Sequence, residues 1–188
     1  MYKVIYLETD RLIIRDHKIA DLKTHHLLLS DDTAMYYLQD IKTNSLEDAK
    51  KNLTEAIEQI PLEKREKYFF RIEYKVTKEH IGEIGYTVEE FSPVGKFIEL
   101  GYFTYKKHWN KGYMTEAVKE VMRFDFEENN VFRIYTGCIK DNIGSERVMQ
   151  KCGMIKEADF KMKTWHYGKT KDRVAYRLLK DEWIKNKF

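Results

Sequence analysis

Cysteine and proline are scarce, with two of each in 188 residues, and neither sign of charge dominates. Cys138 and Cys152 form no C-x-x-C pair and no His-Cys cluster, so neither a disulfide framework nor a zinc site is indicated. So few thiols fit a reducing compartment, and the cytoplasm is the expected location. The 34 Lys and Arg against 31 Asp and Glu leave a formal charge of +3, too even a balance for the basic stripe that follows nucleic acid. No window approaches the apolar length of a membrane span, and the opening stretch MYKVIYLETDRL carries charge from position 3, without the apolar centre of a signal peptide. Neither nucleic acid nor membrane is therefore expected as a partner. Repeats and low-complexity linkers are missing too, so one domain spanning 1–188 is expected.

What is present is a mixed succession of patterns. Residues 4 to 15 begin apolar and then alternate, as a first strand does. IADLKTHHLLL has apolar residues at helical spacing. SLEDAKKNLTEAIEQI predicts a clearer helix, with Leu46, Ala49, Leu53, Ala56, Ile57 and Ile60 on one face, Ser45 and Asp48 as a capping box, and Pro61 beyond its end. Three β-rich runs follow at 68–76, 80–88 and 97–105, separated by short turns and read as an antiparallel meander. A helix from Tyr113 to about Asn129 buries Met114, Ala117, Val118, Val121 and Met122. The strand VFRIYTGCI, a short helix from near Asn142 to Gly153, and two β-like stretches at 156–167 and 172–179 complete the chain. The order β-α-α-β-β-β-α-β-α-β-β predicts a mixed α/β domain.

The stretch HWNKGYMTEA, residues 108–117, joins a predicted strand to a predicted helix. Such a junction suits an anion, because the first helical turn has unpaired N–H groups and the positive end of the macrodipole. Gly112 allows close backbone approach and Lys111 adds charge; a plain turn with a solvated lysine is the competing reading. No G-x-x-x-x-G-K-[ST] occurs, and the dinucleotide fingerprint lacks its second and third glycines. NIGSERV lacks the second glycine of a serine-hydrolase elbow. An RNA-binding sheet is disfavoured because Leu100 stands where the RNP1 pattern has a basic residue.

Four strings in order, TDRLIIR, IELGY, WNKGYMTEA and NIGSERVMQKCGM, resemble the GNAT acetyltransferases, in the branch that includes the ribosomal-protein N-terminal acetyltransferases. The resemblance runs from Leu7 to about Trp183 and implies the GNAT fold, a central, mostly antiparallel sheet of about seven strands splayed in the middle. It implies acetyl-CoA as cosubstrate, no metal, and acetyl transfer by direct attack of a primary amine in a ternary complex. The acceptor would be the N-terminal amine of a ribosomal or other protein, or a small amine such as a polyamine, aminoglycoside or amino acid. A silent CoA-binding domain is the alternative outside catalysis. Monomer and homodimer both stay open.

By the same resemblance, Trp109, Asn110, Lys111, Gly112, Tyr113, Met114 and Thr115 wrap the CoA pyrophosphate, and Trp109 and Met114 depart from the general Q/R-x-x-G-x-G/A pattern. Tyr102, Phe103 and Thr104 map to the splayed strand that receives the pantetheine arm. Asn142 and Ser145 match N-x-x-S, the Asn on the cofactor and the Ser as proton donor to the sulfur; helix capping explains both residues without a ligand. The family's Glu beyond this helix is replaced by Thr164 or its neighbours in EADFKMKTWHY, so Glu99 is taken as the base, with Glu83 behind it. His108 is read as a surface loop residue. His25 and His26, adjacent on a helix, do not both face one metal. Tyr36, Tyr37 and Trp165 are candidates for an acceptor pocket.

Overall fold

The computed structural model describes residues 4–185. Eight strands and five α-helices alternate along the described chain. In chain order they are β1 (Tyr6–Glu8), β2 (Leu12–Asp16), α1 (Leu22–Leu29), α2 (Leu46–Glu58), β3 (Lys67–Tyr74), β4 (His80–Ser92) and β5 (Gly95–Thr104). There follow α3 (Tyr113–Glu127), β6 (Val131–Ile139), α4 (Ile143–Lys151), β7 (Ile155–His166), β8 (Lys169–Leu179) and α5 (Lys180–Lys185). The strand order is β1-β2-β3-β4-β5-β6-β8-β7. This is a mixed α/β fold, mostly antiparallel, as expected, with eight strands in place of about seven.

The additional strand comes from the N-terminal stretch. Thr9 turns the chain: its amide donates to Leu12 O at 3.0 Å, and the Leu12 amide donates to Thr9 Oγ1 at 2.9 Å. The single strand expected over 4–15 is therefore the antiparallel hairpin β1–β2, with Tyr6 opposite Arg15. The closing helix α5 was likewise not anticipated.

Contacts divide the chain into two compact units, one containing the described residues up to Thr87 together with Gly101–Glu120, the other Val88–Leu100 and the described residues from Val121 onward. In the first, β1, β2, β3 and the start of β4 pair antiparallel in succession. Its core gathers Leu12, Ile14, Phe70, Ile72, Leu28 and Leu53, all without solvent exposure. Helix α2 forms where predicted. Ser45 Oγ accepts from the Asp48 amide at 3.1 Å, and Ala49, Leu53 and Ala56 are buried. Leu46, expected on the same face, begins the helix ahead of the covered stripe and is exposed. Arg15 reaches Asp21 and Glu73 at 2.8 and 2.6 Å, which ties the segment leading into α1 to β2 and β3.

In the second unit β6 runs parallel to β5 and antiparallel to β8, and β7 and β8 form a long hairpin. Gly153, expected to stop α4, has φ +75° and follows its last turn. Pairing of β5 with β6 ends at Glu99–Tyr135, while β5 itself continues to Thr104. Tyr102, Phe103 and Thr104 thus lie past the last pair, where the resemblance places a splayed strand. No helix among the described residues is long and apolar enough to cross a membrane.

Candidate functional site

The loop between β5 and α3 belongs to the first unit and is built for a tight reversal. After a 3-10 turn at Lys106–His108, Asn110 and Gly112 both take positive φ, +59° and +78°. An L side chain is strained in that region, and Asn and Gly are the residues that enter it most readily. Gly112 O then accepts from the Glu116 amide at 3.0 Å, so α3 starts on the glycine. The amides at the head of such a helix have no carbonyl one turn back. They and the dipole make an anion-binding corner.

The side chains in this loop divide by role. Met114 is buried at 8% exposure, as expected for a residue pointing to the core. Lys111 is exposed, and Trp109, at 44% exposure, donates from Nε1 to Thr104 O at 3.2 Å, fastening the loop to the end of β5. Tyr113 packs 5.8 Å from the Tyr74 ring and 6.0 Å from His108. His108 departs from expectation. It is buried, its ring lies against Tyr105 and Tyr113, and burial pushes its pKa down.

One residue of this corner escapes inspection of the loop alone. Arg11, in the β1–β2 turn, donates from Nη1 to Lys111 O at 3.0 Å and from Nε to Glu116 Oε2 at 2.7 Å. Its guanidinium carbon sits 4.6 Å from the Tyr113 ring centre. Glu116 also accepts from the Arg11 amide at 3.0 Å and from Thr9 Oγ1 at 2.6 Å. Burial alone would push the Glu116 carboxyl up; these hydrogen bonds outweigh it and hold the pKa below the ordinary value. The loop is thus held from both sides, by its own strained residues and by a clamp about a hundred residues earlier in the chain. The string TDRL carries the only sequence signal, as part of the resemblance.

Close contact also fixes the strands leading into the loop. A Cβ at Gly82 would stand 2.3 Å from Phe103 O and 2.8 Å from Thr104 Cα. Thr104 Oγ1 donates to Ile81 O at 2.6 Å.

The start of β4 also carries a buried polar group. Glu83, 6% exposed, faces three histidines. His25 Nδ1 is 2.7 Å from Glu83 Oε1, His80 Nε2 is 3.5 Å from the same oxygen, and His17 Nε2 is 3.7 Å from Oε2. Burial disfavours the charged forms, yet the mutual attraction prevails: the Glu83 pKa is lowered and that of His25 raised. Glu83 is enclosed by its histidines. A carboxylate so placed is not the base an incoming amine meets.

In the second unit, Asn142 caps α4, its Oδ1 accepting from the Ser145 amide at 3.2 Å. Ser145 is half-buried in the first turn of that helix. Burial pushes the neighbouring Cys138 thiol up to about 11. Glu99 lies on β5 opposite Tyr135, exposed. Trp165 is 72% exposed on β7 in this unit, whereas Tyr36 and Tyr37 pack edge to face at 4.8 Å in the other. The acidic stretch at 30–32 is engaged locally. Asp31 Oδ1 accepts from the Thr33 and Ala34 amides, and Asp32 pairs with Lys42 at 2.5 Å.

Comparison with known proteins gives a consistent result. A family model described as an acetyltransferase (GNAT) domain matches residues 11–155. The chain is similar to the uncharacterized N-acetyltransferase YnaD of Bacillus subtilis, 31% identical over 186 residues, covering 95% of this chain and 99% of that one. In fold it is similar to the ribosomal-protein-S5-alanine acetyltransferase of Vibrio fischeri, with a TM-score of 0.81, 22% identity and coverage of 95% and 98%. It is similar as well to the spermidine N-acetyltransferase of Vibrio cholerae, solved with CoA and spermine, with a TM-score of 0.80, 18% identity and coverage of 94% and 99%.

Proposed function

Because the chain belongs to the GNAT acetyltransferase family and is an acetyl-CoA-dependent N-acetyltransferase, we propose that residues 109–115 hold the CoA pyrophosphate and that the acceptor is the N-terminal amine of a protein. The observation that carries the first part is the clamped corner itself. Two left-handed residues, the start of α3 and the Arg11 guanidinium converge on one short loop. Backbone amides at a helix start are what a diphosphate requires, they act whatever the neighbouring side chains are, and Arg11, paired with Glu116, holds them in place.

Charge supports this acceptor class. A polyamine needs carboxylates left over to meet its ammonium groups, and Asp31 and Asp32 are engaged locally. A protein N-terminus brings one amine and depends on shape and backbone contacts instead. A cytoplasmic acceptor of this kind agrees with the scarcity of cysteine.

Transfer proceeds by direct attack. A relay through an acetylated cysteine is unsupported, since the Cys138 thiol is held far from its thiolate at neutral pH and Cys152 is buried. The amine nitrogen bonds to the thioester carbonyl carbon, the carbon–sulfur bond breaks, and the Ser145 hydroxyl gives a proton to the departing sulfur. Tyr102, Phe103 and Thr104, beyond the last β5–β6 pair, present strand backbone to the pantetheine arm. Asn142 contacts the cofactor as it caps α4. Exposed Glu99 takes the ammonium proton before attack, the proton shed by the nitrogen as the amide forms restores the Ser145 hydroxyl through solvent, and holding the two reactants together supplies much of the acceleration.

Thiol release from acetyl-CoA, followed with peptides beginning in Ala or Ser and with spermidine, tests the acceptor. Turnover with the peptides and none with spermidine is expected. Turnover with spermidine alone overturns the assignment and returns the small-amine reading.

A further inference from the structure

The buried group around Glu83 has the composition of a metal site, and nothing in acetyl transfer uses it. His17, His25 and Glu83 each offer one ligand atom, and these atoms lie within 4.8 Å of one another. All three residues are more than nine-tenths buried. Both nitrogens of His17 lack a hydrogen-bond partner among the described residues, although the ring is enclosed, and the same holds for His80. Buried polar atoms are nearly always bonded, so His17 Nε2 and His80 Nε2, unbonded and 3.7 and 3.5 Å from the Glu83 oxygens, point to a ligand.

We propose that His17 Nε2, His25 Nδ1 and a Glu83 carboxylate oxygen bind one zinc ion, with His80 beside the fourth position. The orientation of the rings supports this assignment. With His25 bound through Nδ1, its Nε2 faces Asn52 Oδ1 at 2.9 Å; His17 Nδ1 is turned toward Asp21 Oδ2, which at 3.8 Å lies beyond hydrogen-bond reach. Zinc-bound imidazoles characteristically have an oxygen acceptor on the far nitrogen, which fixes the ring and raises its donor strength. Asp21 is itself held by Arg15 through two hydrogen bonds of 2.8 and 2.9 Å.

The ligand atoms lie within 4.8 Å of one another, and the two separations to Glu83 bracket the tetrahedral value. Ligand atoms on a tetrahedral zinc stand about 3.4 Å apart, given bonds of about 2.0–2.2 Å. His17 Nε2 and Glu83 Oε2 are 3.7 Å apart, too far for a hydrogen bond and close to that separation. His25 Nδ1 and Glu83 Oε1, at 2.7 Å, must part by less than an ångström. The ion replaces the proton shared between them, which passes to solvent. Two imidazoles and a carboxylate suit zinc rather than magnesium or calcium, which select oxygen. The ligands come from the segment after β2, from α1 and from β4, so the metal ties three elements of the first unit together.

The proposal is independent of the acetyl-transfer reading, and its test does not depend on activity. The untagged full chain is stripped with chelator and dialysed, then melted with zinc chloride, with magnesium chloride, and alone. Zinc at about 100 times its dissociation constant is expected to raise the midpoint by ~5–11 °C, with no response to magnesium. Cobalt(II) chloride is expected to give a visible ligand-field band of tetrahedral type, and His17→Gln is expected to remove both effects. Should that variant not fold, the wild-type cobalt spectrum still decides. A wild-type chain that melts identically with and without zinc and gives no cobalt band overturns the site and leaves Glu83 and His25 as a proton-bridged pair.

Discussion

Arg11 and Glu116 meet through a 2.7 Å hydrogen bond from the guanidinium Nε to Oε2, joining the β1–β2 turn to the first turn of α3. The same guanidinium holds Lys111 O, so one side chain fixes the middle of the proposed pyrophosphate loop and the helix turn just beyond it. Arg11→Ala should raise the KM for acetyl-CoA about five-fold, corresponding to ~1 kcal/mol for charge-assisted bonds at a partly exposed site. The kcat should change less, because the role proposed for the loop is to hold the pyrophosphate, away from the reacting carbonyl. Steady-state kinetics with acetyl-CoA varied check the split.

Acid should loosen the same clamp. The Glu116 pKa lies below its ordinary value in the folded chain. Its contribution is therefore complete above the unfolded value of roughly 4.3 and is lost as pH falls through the lower folded value. The melting difference between wild type and Glu116→Gln should narrow as pH drops from about 6 toward 3. A gap that widens in acid would contradict the assigned direction.

Gly112→Ala places a Cβ on a residue at φ +78°, at a cost of about 1–2 kcal/mol. Space is not the obstacle, since the nearest atom to the new methyl is Arg11 Nη2 at 3.4 Å. A fall in melting midpoint of ~2–8 °C follows for a chain of this length. Gly112→Asn should fall less, because Asn tolerates the left-handed region. Thermal melts of the two variants side by side give the comparison.

Gly82→Ala is of a different kind. Its methyl would meet backbone, Phe103 O at 2.3 Å and Thr104 Cα at 2.8 Å, and neither can swing aside. A loss of about 3 kcal/mol or more, seen as insolubility or a collapsed midpoint, is expected. A stable Gly82→Ala variant would mean that β4 and β5 are not in contact there.

On the catalytic side, Ser145→Ala should lower kcat about 100-fold while leaving acetyl-CoA affinity near wild type, as removal of a proton donor does. Asn142→Ala removes the α4 cap and should cost ~1 kcal/mol, or about 2–4 °C. Asn142→Asp keeps a capping oxygen and should recover that stability. Any remaining loss of acetyl-CoA affinity in Asn142→Asp measures the contact with the cosubstrate. Equal turnover in Ser145→Ala would remove the proposed acid.

Most elements were legible because their signals are local. The Ser45 cap, the period of α2 and α3, and the β-rich runs of β3 to β6 each lie within one short window. The β1–β2 hairpin was not, since Thr9 makes its turn through its own hydroxyl, without glycine or proline. The loop at 109–115 could be picked out from Gly112 and the helix after it. Arg11 could not be placed there from pattern alone, because its partners lie about a hundred residues away. The Glu83 group was hidden for the same reason. The sequence sets His25 beside His26 on helix α1, whereas its partner Glu83 is 58 residues distant on strand β4. Local chemistry is written in the sequence, and a constellation assembled by topology shows only in the fold.

The most direct test of the central claim is a thermal melt of the wild-type chain with acetyl-CoA, with ATP as the control anion. At about 100 times the dissociation constant, acetyl-CoA should stabilise the fold by roughly 2.7 kcal/mol, raising the midpoint by ~5–11 °C. ATP should leave it unchanged. An equal rise with both would reduce the corner at Gly112 to a general anion site, and no rise with saturating acetyl-CoA would contradict the assignment of that loop to the CoA pyrophosphate.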